Sequence, residues 1–452
     1  MKFKKFLSLV TLVTSIFMSY AQEYSYNELG ILFAKDNNKG SARFNALSGA
    51  FGALGGDISS VTINPAGGAV AKISSINITG TNDALSYTTN YYNSSTEYEE
   101  NRFRIPQIGA LFVFSPAYKS DWNRSALYFN YRVKHNYNLF YETIGNSELL
   151  FYNQHESDPS ATVFDRSLDQ YLYNDVSGSS EVFDFGFSTV HKNKLFLGAS
   201  VKLHTLQFSQ EQFFSEANDD IDGNILETED YSINFIDASG VSFSIGFIYK
   251  FSPAFRFGLA YETPTYYSEV IEEYYNEFIM YEINNTNLVI PEYFENTGDL
   301  RFLYQYKSPS RLTASGAFVF GKKGLISMDY TYKDYTNTEF SGGDFSVENN
   351  IYETEYRNTH ALNIGTEWRF DNLSLRGGVS YEKDPNLIIG GGTNDDNIEG
   401  YSLGFGYNFG NTKIDFSYNN TENINYNAIY TSSDLAIDRR LSQISGTITF
   451  DL

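Results

Sequence analysis

The stretch Tyr401-Ser402-Leu403-Gly404-Phe405-Gly406-Tyr407-Asn408-Phe409 puts a large apolar or aromatic side chain at every odd position and a small or polar one at every even position. Successive side chains of a β-strand point to opposite faces, so this is a strand with one greasy face and one small or polar face. The pattern recurs at Val241, Phe243, Ile245, Phe247 and Tyr249, which alternate with Ser242, Ser244 and Gly246. It recurs again at Phe183, Phe185 and Phe187, and at Ile444, Gly446, Ile448, Phe450 and Leu452. Alternation fits a soluble sandwich as well as a membrane barrel, because either can bury one face and wet the other.

Connection lengths separate the two. Strands are expected near 73–89, 102–115, 124–142, 181–191, 194–210, 240–250, 254–269, 300–320, 323–336, 357–370, 372–383, 399–409, 412–424 and 440–452, fourteen in all. Long polar connections (143–180, 211–239, 270–299, 337–356) alternate with tight ones such as His191-Lys192-Asn193-Lys194, Gly321-Lys322-Lys323-Gly324 and Asp371-Asn372. An even strand number with long and short connections on opposite rims is the pattern of an outer-membrane barrel, whereas sandwiches lack that alternation. In hydrocarbon each unpaired backbone group costs several kcal/mol, so the sheet must close. The expected fold is all-β, a 14-stranded antiparallel transmembrane β-barrel.

Composition narrows the function. The chain has 452 residues, no cysteine, 17% aromatic residues and a net charge of -23. Without cysteine there is no disulfide scaffold and no thiolate site. The acidic balance argues against nucleic acid, whose phosphates it would repel. So many aromatics do not suit a disordered acidic chain. A mean hydropathy of -0.34 and the lack of a long apolar run beyond residue 21 exclude a helical membrane protein.

Lys2, Lys4 and Lys5, the apolar stretch Phe6 to Met18 and the small residues Ser19 and Ala21 read as a cleavable secretory leader over residues 1–21, with the mature chain starting at Gln22. Residues 22–72 precede the first strand and are rich in glycine and alanine, yet Phe44, Leu47, Phe51, Leu54, Ile58, Val61 and Ile63 are too apolar for a disordered linker. A barrel of this size leaks unless filled. Residues 22–72 are therefore expected to plug it as an N-terminal hatch, with the barrel over 73–452.

The run Ser41-Ala42-Arg43-Phe44-Asn45-Ala46-Leu47-Ser48-Gly49-Ala50-Phe51-Gly52-Ala53-Leu54-Gly55-Gly56-Asp57, followed by Asn64-Pro65-Ala66-Gly67, resembles the N-terminal hatch of the long-chain fatty-acid transporter family of outer-membrane proteins (FadL/TodX-type). Asn27-Glu28-Leu29 resembles that family's Asn-Glu-Phe opening, with Leu in place of Phe. Leu375 to Tyr381 with Asp384-Pro385 resembles a late strand and its following proline. The resemblance implies passive import of hydrophobic compounds such as long-chain fatty acids across a Gram-negative outer membrane. It implies capture by outer loops, a lumenal pocket and hatch-gated release, often sideways through the wall. It makes Asn27, Glu28, Leu29, Asn64, Pro65, Ala66 and Gly67 candidate gating residues. The family's wall gap comes from a kinked third strand, yet 124–142 holds neither Gly nor Pro; Pro106 and Gly109 in the second strand, or Pro309 in the eighth, are the alternatives. Phe450-Asp451-Leu452 resembles the signal that barrel-assembly machinery reads, except that the last residue is Leu452.

Expected partners are hydrophobic small molecules, outer-membrane lipid and lipopolysaccharide, and the assembly machinery, with a monomeric barrel, no nucleic acid and no cofactor. Asn218, Asp220, Asp222, Gly223, Ile225 and Glu229 match calcium-loop spacing, although position one is Asn and no flanking helices are evident; a plain solvated turn is favoured. The five histidines, His135, His155, His191, His204 and His360, share no ligand spacing. No motif marks an embedded hydrolase, so no catalytic residue and no metal site are assigned. A general diffusion porin or a surface-structural, adhesive barrel remains the alternative.

Overall fold

The computed structural model describes residues 24–37, 39–150, 153, 163–284, 288–387, 397–427 and 435–452. The leader expected over 1–21 and His155 lie outside the described residues. The strands are β1 (Ser75–Tyr91), β2 (Ser94–Phe114), β3 (Trp122–Asn136), β4 (Leu139–Gly145), β5 (Arg166–His191), β6 (Leu195–Asp219), β7 (Ile225–Lys250), β8 (Phe255–Glu262), β9 (Tyr266–Ile283) and β10 (Val289–Asn296). They continue as β11 (Leu300–Lys307), β12 (Arg311–Val319), β13 (Gly324–Lys333), β14 (Glu339–Ser341), β15 (Thr359–Phe370), β16 (Leu373–Glu382), β17 (Ile398–Asn408), β18 (Thr412–Asn427) and β19 (Leu435–Asp451). All neighbours are antiparallel, and the sheet closes because β1 pairs with β19 from Ser75 opposite Asp451 to Tyr91 opposite Leu435. β3 runs on into β4, β8 into β9 and β11 into β12, each pair forming one stave; β10 and β14 are short additions at the outer rim. The wall therefore has the fourteen staves expected from the alternation.

Three of the expected long connections are corrected by the structure. β5 begins at Arg166, only the short turn 220–224 separates β6 from β7, and β9 extends to Ile283, so much of 143–180, 211–239 and 270–299 is strand. About 9–11 tilted residues cross the hydrocarbon; β6 has 25, so its outer half projects beyond the lipid. There the outward face no longer has to be apolar, which is why these segments read as polar loops. The fourth connection, 337–356, carries β14 and a helix, Ser346–Thr354.

On the spanning part the outward face is apolar and exposed, as at Phe103 (69%), Ile245 (60%) and Leu403 (58%). On a protein in water such a continuous band would be a liability; around a closed barrel it is the lipid-facing surface. The inward face is polar and buried, with Asn77, Thr79, Gln107, Asn130, Arg132 and Lys202. These residues are buried because the lumen is filled. The N-terminal segment supplies α1 (Tyr26–Ala34), α2 (Ala42–Asn45) and two 3-10 turns, Ile58–Thr62 and Pro65–Val70. Phe44, Leu47, Ala50, Phe51, Val61, Ala66 and Ala69 within it are fully buried. The helix Ser346–Thr354 of the outer rim is α3.

Candidate functional site

The candidate gating residues fall at two ends of the plug. α1 starts with a capping box: the Ser25 hydroxyl accepts the Glu28 N–H, and the Glu28 carboxylate accepts the Ser25 N–H at 2.9 Å. Glu28 is thus a helix cap. Asn27 donates from Nδ2 to the Glu348 carbonyl of α3 at 2.6 Å, and Tyr352 of α3 donates its hydroxyl to the Tyr26 and Asn27 carbonyls, both at 3.1 Å. Leu29 is buried in an aromatic cluster with Tyr304, Tyr306, Phe340 and Tyr352. Tyr306 adds a hydroxyl bond to the Gly30 carbonyl at 2.6 Å. α1 is therefore clamped to the outer-rim elements.

Asn64, Pro65, Ala66 and Gly67 lie at the other end, against β6, β7 and β8. Asn64 caps the second 3-10 turn by accepting the Ala66 N–H at Oδ1 (3.1 Å), while its Nδ2 donates to the plug's own Gly52 carbonyl (2.9 Å) and to the wall's Phe247 carbonyl (3.0 Å). Pro65 occupies the first position of that turn, where its missing N–H is no loss. The wall approaches this turn with glycines. A Cβ on Gly198 would collide with the Pro65 backbone, one on Gly246 with the Asn64 side chain, and one on Gly258 with the Gly52 carbonyl, 2.6 Å away. Gly198 and Gly246 are direct partners in the β6–β7 ladder. A second such platform, Gly365, Gly378 and Gly404, receives Ala46 and Leu47. In the sequence these wall glycines carry one signal, their place on the small-residue face of neighbouring strands, as Gly246 and Gly404 show; nothing local tells that they meet the plug.

Charged wall residues complete the dock. Arg43 meets Glu367 at 2.8 Å, and Arg376 bridges Glu367 (2.7 Å) to Asp415 (2.6 Å). Asp329 accepts the Phe51 and Gly52 N–H groups at 2.9 and 2.8 Å from one carboxylate oxygen. Higher in the lumen, Asp36 of the plug pairs with Arg132 through two bonds of 2.8 and 2.6 Å and with Arg311 at 3.5 Å. Arg311 also holds Glu262 at 2.7 Å, and Glu262 contacts Lys202. Burial pushes the Asp36 carboxyl upward, but the adjoining Arg132 and Arg311 guanidinium groups outweigh it and hold the group well below the usual carboxylate range. These pairs cross the lumen between α1 and the lower plug.

One cavity of about 110 Å³ lies between Lys35, Asp36, Asn37 and Lys39 of the linker, the plug residues Asn45, Ser48 and Gly49, and the wall. Leu32, Leu139 and Leu441 give it apolar surface, and Lys39, His135 and Arg439 give it cationic or protonatable groups. Burial lowers the Lys39 ammonium to about 8, against the opposing pull of Asp83. Lys39 and His135 also line a smaller void next to Pro106 and Val133, which adjoins a break in the wall.

That break separates β2 from the β3/β4 stave. β2 pairs with β3 only from Gln107 opposite Arg132 down to Phe114 opposite Ser125, while β2 stays on β1 up to Ser94. Among the described residues no strand pairing joins β2 above Gln107 to β3 or β4. The third stave is interrupted at Tyr137 and Asn138, after a register shift between Val133 and His135. Tyr137 turns inward and is buried, its ring 5.7 Å from Phe33 and its N–H on the Gly178 carbonyl at 3.0 Å. Gly178 of β5 has φ +114, so the glycine that permits the kink sits on the neighbouring strand. Pro106 falls in a bulge where the β1–β2 register shifts. Pro309 lies between β11 and β12. Gly109 accommodates Ile58 of the plug, whose Cγ1 would lie 2.6 Å from an added Cβ.

The calcium-like stretch forms a hairpin turn. Asp220 accepts the Asp222 and Asn224 N–H groups, both at 2.9 Å, and Glu229 instead accepts the Tyr281 hydroxyl at 3.1 Å across the sheet. Among the described residues no group of three acidic or histidine side chains could hold a metal ion.

Solved structures of the same fold include the following three. A Pseudomonas aeruginosa FadL homologue superposes with a TM-score of 0.58 at 14% identity, over 91% of this chain and 98% of its own. The Pseudomonas putida toluene transporter TodX gives 0.54 at 15%, over 93% and 100%. The CymD monoaromatic hydrocarbon channel gives 0.51 at 13%, over 93% and 98%. The chain has the FadL-type fold. No protein-family model and no curated protein sequence matches it.

Proposed function

We propose that the protein is a passive outer-membrane importer of hydrophobic compounds, with long-chain fatty acids or similar amphiphiles as cargo. One observation carries the reading: a lumen closed by docked chain and ion pairs lies beside a break between β2 and the β3/β4 stave. A diffusion pore needs an open lumen; a carrier of greasy molecules needs a dry side exit. A fatty acid that leaves sideways avoids returning each CH₂ to water at ~0.8 kcal/mol. Two of the structures with this fold, the toluene transporter and the monoaromatic hydrocarbon channel, are named for hydrophobic cargo.

In this reading the outer rim captures the ligand, and the cavity near Lys39 and Arg439 takes its carboxylate. The cavity, at about 110 Å³, is smaller than the roughly 300–1,000 Å³ that bury a drug-sized ligand. α1 and the linker must therefore shift as the chain of the ligand enters. Residues 22–72 act as the hatch, with Asn27, Glu28 and Leu29 holding its outer end and Asn64, Pro65, Ala66 and Gly67 its docked turn. Residues 1–21 are removed as a leader, and 73–452 form the barrel, a monomer inserted into a Gram-negative outer membrane by the barrel-assembly machinery and surrounded by lipopolysaccharide. The reading requires no cofactor and no catalytic turnover.

Uptake of labelled oleate into proteoliposomes, with mass spectrometry of ligands extracted from the purified protein, tests it. Saturable uptake with bound amphiphile is expected. A steady, large ion current without uptake would assign a diffusion pore, and neither uptake nor current a surface-structural barrel.

A further inference from the structure

The strands that project beyond the lipid have two unlike faces. Their inner face is packed, with Leu172, Phe214, Leu226, Ile236 and Met280 buried. Their outer face carries rings and carboxylates in register. Tyr173 of β5 lies opposite Phe213 of β6, and Phe213 opposite Tyr231 of β7, so three rings form one row across three strands. The row ends on acids: Glu142 of β4 lies opposite Tyr173, and Glu277 of β9 opposite Tyr231. Glu211, on the same face, accepts the Tyr231 hydroxyl at 3.0 Å, and Glu142 accepts that of Tyr171 at 2.9 Å.

Height above the membrane limits what can meet this face. Leu203, half exposed, belongs to the apolar band of β6, and Phe213 lies further out on the same outward face. Ten residues at about 3.3 Å each, tilted by about 45°, raise the row about 23 Å above that band. This is beyond the acyl chains and headgroups yet continuous with the lipid-facing surface. On the reading that the barrel sits in an outer membrane, the layer at that height is the distal saccharide of the outer-leaflet glycolipid. The chemistry agrees. Aromatic rings stack on the C–H faces of a pyranose, and their spacing across strands, about 4.8 Å, is comparable to the length of one sugar residue. Glu277 accepts the Tyr275 hydroxyl at 2.9 Å and the Asn296 amide at 3.4 Å, both on one oxygen; an ionised carboxylate has about four lone-pair sites, so each of the three acids keeps acceptors for sugar hydroxyls. The same charges repel a phosphate-rich or acidic polymer.

We propose that this outward face is a binding surface for a neutral, hydroxyl-rich oligosaccharide of the surrounding glycolipid, with Tyr173, Phe213 and Tyr231 as the stacking row and Glu142, Glu211 and Glu277 as hydroxyl acceptors. Titration calorimetry on the full barrel in detergent tests it, with lipid-free O-chain oligosaccharide released by mild acid from the producing strain's lipopolysaccharide as the probe, and lipid A and decalysine as separate arms. The oligosaccharide is expected to bind. Tyr173→Ala/Tyr231→Ala should weaken it about tenfold or more, and Tyr173→Phe/Tyr231→Phe should largely retain it, because the rings remain. Phe103→Ala in the lipid band serves as the control for barrel integrity. No oligosaccharide binding, unchanged binding in the double alanine variant, or binding of decalysine or lipid A alone would overturn the proposal; a double variant that only melts earlier would reduce the row to a structural one. Sugar binding by a barrel that imports no oleate would leave this surface standing and remove only the transport reading.

Discussion

Replacing Asn64 by alanine removes three buried hydrogen bonds at once: to the Ala66 N–H, the Gly52 carbonyl and the Phe247 carbonyl. Loss of the cap costs about 1 kcal/mol. The two carbonyls lose a buried donor, at about 1–3 kcal/mol for an acceptor left bare; neighbouring backbone donors offset part of this, so the total is about 2–4 kcal/mol. At 1.4 kcal/mol per decade this shifts the ratio of docked to undocked turn by roughly 30- to 700-fold. The shift is local, because Arg43, Asp329 and the second glycine platform still hold the rest of the plug. Single-channel recording of the purified barrel in planar bilayers reads it directly: the wild type should be quiet, and Asn64→Ala should show frequent brief openings and faster oleate release. Asn64→Asp keeps the Ala66 bond but faces two carbonyls with a carboxylate, so it should open at least as often. If both variants insert correctly and stay as quiet as the wild type, Asn64 does not hold the gate.

Other outcomes follow from the same geometry. Gly198→Val drives a side chain into the Pro65 backbone and should expose the plug to trypsin, whereas Gly316→Ala, whose nearest neighbour is 4.0 Å away, should not. Ser94 and Thr143 place their hydroxyls 3.5 Å apart at the top of the break. In a chain without native cysteine, Ser94→Cys/Thr143→Cys should slow oleate release when oxidised and recover on reduction; equal rates in both states would remove the side exit. Lys39 is charged below about 8, so retention of a carboxylate ligand should fall as pH rises through that value, while an uncharged hydrocarbon should show no such fall. Lys39→Met should abolish the difference in extracted-ligand assays.

The lipid-facing half of each strand was legible in the sequence because hydrocarbon imposes a strict rule: Phe243 and Ile245, or Leu403 and Phe405, must point outward while Ser244 or Gly404 points in. Above the lipid that rule lapses. Glu211, Phe213, Glu229 and Tyr231 continue the same strands, but their outward positions mix rings and acids and so read as loop. The helix α3, which clamps α1, was hidden in the 337–356 connection for a similar reason: its stability comes from Tyr352 packing against the plug rather than from its own pattern.

The kink in the third stave also escaped the sequence, since Gly178, which permits it, lies some forty residues away on β5. Asn64 could be picked out as a turn residue from Asn-Pro-Ala alone, and its cap is local. Its bond to the Phe247 carbonyl is not, nor is the collision that Gly198 and Gly246 avoid. Local chain chemistry and the solvent on each side dictated strands, turns and the apolar plug segment, because those depend on near neighbours and on hydrophobic periodicity. Which staves kink, which glycines touch the plug and where the sheet comes apart depend on registers between distant segments, and only closure of the barrel around its plug decided those.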